Sequence, residues 1–276
     1  MAELAYADLP YYDDKYFDLE QTFNRRQRKG KRKKEILNKN NLTLTNIQPK
    51  THNQNLAFDY FYEGYNLLLH GVAGTGKTFV ALGLALQELF NGDGTTQKVI
   101  VVRSVVPTRE IGFLPGKESE KVQVYEAPYK SICTELFGRG DAWELLKQKG
   151  MVEFISTSHI RGTTMDNTMI VVDECQNMNF HELDTIITRI GENSSIIFSG
   201  DYKQSDLDKP WDQSGLTKFM SILNKIDSFK TVDFQFEDIV RSGLVREYII
   251  AKEQMEQHEV QPPTNPGYKR TGHSVC

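Results

Sequence analysis

Six short apolar or β-branched runs, at residues 67–70, 99–103, 152–156, 169–173, 196–200 and 231–234, are spaced so that a helix fits between most neighbours. Runs of this length without strict alternation read as strands buried on both faces. Helical periods lie between them. Residues 77–90 are apolar almost all round, and the turn-forming Asn91-Gly92-Asp93-Gly94 ends that stretch. Leu183, Ile186, Ile187 and Ile190 fall at i, i+3, i+4 and i+7, as do Leu216, Phe219, Met220 and Leu223. Strands alternating with such helices predict an α/β fold, a largely parallel sheet with helices on both faces.

This pattern starts near residue 48 and fades near residue 252, which predicts an N-terminal arm over 1–47, a folded domain over 48–252 and a flexible tail over 253–276. The arm contains RRQRKGKRKK, from Arg25 to Lys34, with eight of the chain's 33 basic residues and no acid. The rest holds 25 basic against 37 acidic residues, a balance of −12. Eight like charges in ten positions oppose a packed core, so this segment reads as a solvated arm. A phosphate polymer would gain there by counterion release. No apolar run approaches the roughly 18–20 residues needed to span a bilayer, and the acidic start of the chain is unlike a secretory leader. The expectation is a cytoplasmic protein with no membrane contact. Three widely separated cysteines, Cys133, Cys175 and Cys276, agree with a reducing compartment. His159, Cys175 and His181 match no zinc spacing.

Three signals carry chemistry. Gly71-Val72-Ala73-Gly74-Thr75-Gly76-Lys77-Thr78 fits G-x-x-x-x-G-K-[ST] between a strand and a helix. Its backbone N–H groups would wrap a phosphate at the helix N-terminus. Lys77 would contact the β- and γ-phosphates, and Thr78 would hold magnesium. The run 169–172 ends in Asp173-Glu174. In a parallel sheet that pair lies beside the phosphate loop, where Asp173 would fix magnesium through its water shell and Glu174 would orient and deprotonate the attacking water. The run ending at Gly200 leads into Asp201-Tyr202-Lys203-Gln204, and Gln204 is the candidate sensor of the γ-phosphate.

With these residues in view, the chain resembles the PhoH-like proteins, P-loop ATPases related to the first RecA-like domain of superfamily 1 helicases. The resemblance rests on Pro49-Lys50-Thr51-His52-Asn53-Gln54, the phosphate loop, Gly112-Phe113-Leu114-Pro115-Gly116, Arg161-Gly162-Thr163, Val172-Asp173-Glu174-Cys175-Gln176-Asn177, Thr188-Arg189-Ile190-Gly191, Gly200 to Gln204, and Asp238-Ile239-Val240-Arg241. Cys175 stands where the family usually has alanine. The resemblance implies a single RecA-like domain with ATP as substrate and magnesium as cofactor. It implies an adenine contact by Gln54, for which a bland alternative is a helix-start residue after Thr51. Arg241 is similar in place to an arginine that reaches the γ-phosphate from the same lobe. A chain with one lobe needs a second wall, which implies a cyclic homo-oligomer, a hexameric ring as in the family, with Arg161 and Arg189 as candidates for a neighbour's contribution. Arg103 follows the second strand, where related helicases touch a nucleic-acid backbone; it could equally be a buried ion partner.

Two functions compete. One is ATP hydrolysis coupled to RNA or single-stranded DNA, held by Arg103 and the basic arm. The other is a nucleotide-dependent switch that recruits partners with little turnover, against which an intact Glu174 argues. Tyr125, Tyr129 and Phe137 could stack on bases, but their helical spacing favours a core role.

Overall fold

A computed structural model describes residues 37–39, 42–90, 94–104, 118–160, 162, 164–201 and 210–259. The basic segment 25–34, the run 112–116, Arg161 and Gln204 lie outside the described residues. The elements in chain order are β1 (Leu37–Lys39), β2 (Leu42–Leu44), α1 (His52–Tyr62), β3 (Asn66–Gly71), α2 (Lys77–Phe90), β4 (Lys98–Arg103), α3 (Glu118–Phe137), α4 (Ala142–Gln148), β5 (Val152–Ser156), β6 (Thr168–Asp173), α5 (Phe180–Ile187), β7 (Ser195–Gly200), α6 (Pro210–Leu223), β8 (Phe229–Phe234) and α7 (Gly243–Glu259).

All six predicted runs become strands of one sheet in the order β5-β4-β6-β7-β3-β8, every neighbouring pair parallel. Successive side chains of a strand face opposite sides, and both sides are covered. Leu67, Leu69, Val99, Val101, Met169, Val171 and Ile197 pack with α1 to α4, while Leu68, Ile100, Val102, Ile170, Val172, Ile196 and Phe198 pack with α5 and α6. This burial on both faces explains why the inner strands β3, β4, β6 and β7 read as apolar runs. No helix among the described residues is long and apolar enough to cross a membrane.

Local chemistry sets the helix ends that matter here. Thr51 caps α1, its Oγ1 accepting from the Gln54 N–H at 3.3 Å. Asn179 and Glu182 form a reciprocal capping box that starts α5 after the acidic strand end. The predicted helical period at Ile190 is not realised, because α5 ends at Ile187. Met165 instead donates to the Arg189 carbonyl and accepts from the Gly191 N–H, both at 2.9 Å, so Ile190 pairs as a short parallel bridge.

At the two ends the packed chain reaches further than the sequence pattern. Leu42, Leu44 and Ile47, upstream of residue 48, belong to the core. Ile47 lies over Gly83 of α2 so closely that any Cβ at position 83 would collide with it. Downstream, α7 continues to Glu259, through residues read as the start of the tail. Residues 244–259 contain no glycine or proline, and the next helix breaker is Pro262.

Candidate active site

The strand order brings the glycine loop and the acidic strand end to one edge. β7 lies between β3, which carries the phosphate loop, and β6, which ends in Asp173. All three run the same way, so their carboxyl ends open into one cavity of about 640 Å³. Gly74, Lys77, Thr78, Asp173, Glu174 and Arg241 are among the residues that line it.

The loop is shaped by glycine. Gly74 and Gly76 adopt φ of +75° and +84°, where a Cβ would be strained. Thr75, fully buried, closes the turn by donating to the Val72 carbonyl at 3.0 Å. The Lys77 ammonium donates to the carbonyls of Gly71 at 2.6 Å and Val72 at 2.8 Å. Burial lowers the Lys77 pKa, and Asp201, Glu174 and Asp173 pull it back up. Asp201 is therefore a third carboxylate facing this lysine. In the sequence it stands within the Gly200 to Gln204 run without an assigned role.

At the other wall Asp173 is 2% exposed, and both of its oxygens are engaged. Thr78 Oγ1 donates to Oδ1 at 2.8 Å and Tyr129 Oη donates to Oδ2 at 2.9 Å. Burial and the neighbouring Glu174 raise the Asp173 pKa despite these two donors. The Tyr129 hydroxyl is pushed well above its ordinary value by burial and by Asp173, so it stays a donor. The donor set fits a small hard cation, since a carboxylate and a hydroxyl touch across the cavity floor. No group of three or more His, Cys, Asp or Glu among the described residues could hold a metal. Such an ion would take its remaining ligands from phosphates and water, as magnesium does.

Glu174 adopts φ 52° and ψ 43°, a left-handed conformation that is strained for a side chain of this size. The strand ends abruptly there, and Gln176 secures the turn. Its Nε2 donates to Glu174 Oε2 at 2.6 Å, and its Oε1 accepts from the Asp201 N–H at 3.0 Å. Gly200 is required opposite, because a Cβ there would run into Gln176 Oε1 and Cys175 Sγ. Burial pushes the Cys175 thiol up to about 12. Gln176 was legible only as part of a motif; its place two residues after Glu174 was the available signal.

Gln54 is buried against the loop. Its Nε2 donates to the Thr75 carbonyl at 2.8 Å and its Oε1 accepts from the Lys50 N–H at 2.8 Å. One N–H and one lone pair of the amide remain. Asp238 accepts from the Asn53 side chain at 2.7 Å and the Gln235 N–H at 2.9 Å, which anchors the following turn to α1. Val240 N–H then donates to the Gly74 carbonyl at 3.1 Å, and the Arg241 side chain lies over Gly74. Arg189 is not in this cavity. It pairs with Met165, ahead of β6, at the opposite edge of the sheet.

Arg103 sits at the end of β4, its guanidinium 5.8 Å from the centre of the Tyr125 ring. Burial works against its charge, but Tyr129, Asp173 and Glu174 outweigh this and raise its pKa. Both expected roles fit this placement, since Arg103 lies within electrostatic reach of the acidic pair and is half-buried in the wall of the same cavity. Tyr129 and Phe137 are buried in the core, as their helical spacing favoured.

A parallel sheet whose glycine-loop strand and acid-tipped strand open into one cleft defines a P-loop nucleotide-binding protein with a RecA-like sheet. The chain belongs to the PhoH-like protein family, whose model matches residues 46–253. It is 33% identical over 220 residues to a PhoH-like protein of Mycobacterium leprae, covering 78% of this chain and 60% of that one. A PhoH-like protein of Bacillus subtilis is 36% identical over 182 residues, 66% of this chain and 56% of the relative. The chain thus spans less than two thirds of the length of these curated relatives. Among solved structures it is similar to the large terminase of a thermophilic bacteriophage, with a TM-score of 0.47 and 11% identity, covering 73% of this chain and 50% of that one.

Proposed function

We propose that the protein is a magnesium-dependent ATPase whose cycle acts on RNA or single-stranded DNA from within a cyclic homo-oligomer, a hexameric ring. The observation that carries the catalytic part is the 2.8 Å hydrogen bond from Thr78 to Asp173, with Lys77 and Glu174 in the same cavity. Residues 71–78 would cradle the triphosphate, and Lys77 would exchange its loop carbonyls for phosphate oxygens. Thr78 and Asp173 would hold magnesium, which neutralises charge developing on the β- and γ-phosphates. Glu174, steadied by Gln176, would orient the water and take its proton. Gln54 would offer its remaining donor and acceptor to adenine. Gln204 would sense the γ-phosphate, and Arg241, beside Gly74, would stabilise its charge.

The ring reading is supported by α7, next to the loop. Leu244, Tyr248 and Met255 share one face of this helix and are 80%, 66% and 65% exposed. A neighbouring subunit covering that face would close the site, with Arg161 or Arg189 as the donated arginine. The nucleic-acid reading rests on the charge of residues 25–34, with Arg103 as a second contact. Buried free thiols at Cys133 and Cys175 agree with a cytoplasmic location.

The test is phosphate release with single-stranded RNA, single-stranded DNA or neither, across a salt series, on native protein and on a dilution series. The proposal expects turnover that rises with one polymer at low salt and falls on dilution to monomer. Absence of turnover in the native protein would instead support the switch.

A further inference from the structure

Asp173 carries one contact that the ATPase reading does not use. Tyr129 lies 44 residues earlier in the chain, on α3, and its hydroxyl is buried against Oδ2 of Asp173 at 2.9 Å. The ring is fully buried, with its centre 5.8 Å from those of both Trp143 and Phe154. Those neighbours need only an aromatic ring and would accept phenylalanine. The hydroxyl is the part that packing leaves unexplained. Arg103 faces the same hydroxyl oxygen, and a guanidinium can only donate. The single phenolic proton is thereby directed to Asp173.

We infer that Tyr129 is a positioning residue for the magnesium-holding carboxylate: it fixes Oδ2 of Asp173 and keeps Oδ1 beside the Thr78 hydroxyl. This rests on the reading of Asp173 and Thr78 as the magnesium site. A buried carboxylate held at one oxygen alone could still turn about its last bond, and an octahedral ion tolerates such turning poorly. Held at both oxygens, Asp173 presents one orientation. Outer contacts of this kind typically alter metal affinity by about 10–100-fold. The inference also accounts for Arg103 and ties the long helix α3 to the acid-tipped strand.

The experiment compares the full chain with its Tyr129→Phe variant by titrating magnesium chloride against a fluorescent non-hydrolysable ATP analogue, with melting temperature measured in parallel. Analogue affinity in EDTA should be unchanged, and the magnesium midpoint should rise about tenfold or more. Trp143→Phe, which disturbs the same packing, should lower the melting temperature and leave the midpoint alone. An unchanged midpoint in Tyr129→Phe overturns the inference and spares the ATPase reading, whereas no magnesium effect in the native protein overturns both. Should Tyr129→Phe not fold, difluorotyrosine at 129 keeps the shape and strengthens the donor. A midpoint raised by that replacement would equally overturn the inference.

Discussion

The phosphate loop and the acidic strand end meet in one cavity but hold their groups by different means. In the loop the backbone does the shaping: glycines at positive φ, a buried threonine closing the turn, and lysine on two carbonyls. At the end of β6 carboxylate oxygens are held by side chains, Thr78 and Tyr129 from far along the chain on Asp173 and Gln176 from two residues on at Glu174. A backbone cradle is specified by a few contiguous residues and binds whatever fits it. A web of side chains is assembled by the whole fold and sets where reacting atoms lie. Changes in the first region should therefore weaken nucleotide binding, and changes in the second should slow turnover.

The largest separation between the two is expected from Glu174→Gln, which removes the proton acceptor and little else. Phosphate release should fall about 10²–10⁴-fold while ATP still binds, as measured by single-turnover kinetics beside equilibrium binding. Equal losses of rate and affinity would break the division. Gln176→Ala leaves Glu174 in place without its latch and should cost about tenfold to a hundredfold in rate with affinity kept. In the loop the pattern should invert. Gly76→Ala forces a side chain into a left-handed backbone at a cost of about 1–2 kcal/mol, lowering affinity about tenfold before any loss at saturating ATP. The smallest effect concerns Cys133 and Cys175, whose thiols burial pushes up to about 12. Neither should react with iodoacetamide at neutral pH until the protein is denatured, as peptide masses would show.

The same contrast explains what was legible in the sequence. Residues 71–78 state the loop in one stretch, and the four inner strands announce themselves because burial on both faces removes polar residues from their centres, whereas the edge strands β5 and β8 keep Glu153, Lys230 and Asp233. The supports of Asp173 carry no local signal. Tyr129 is separated from Asp173 by 44 positions and Thr78 by 95, and only the strand order joins them. Three-residue strands such as β2 are too short for a period to show. Ile190 kept the helical spacing but was taken by backbone pairing with Met165, a tertiary contact that no window on residues 183–190 contains.

Ile47 has a consequence of its own. Its side chain fills the notch at Gly83 and also forms part of the cavity wall. It acts as a wedge between the leading segment and the helix that starts at the lysine. Trimming the chain to residue 48 would withdraw this wedge together with Leu42 and Leu44, each about 1.5–3 kcal/mol of lost burial. An oily trough would then open along α2, and the cavity would lose a wall supplied by residues that precede the glycine loop and both acidic residues.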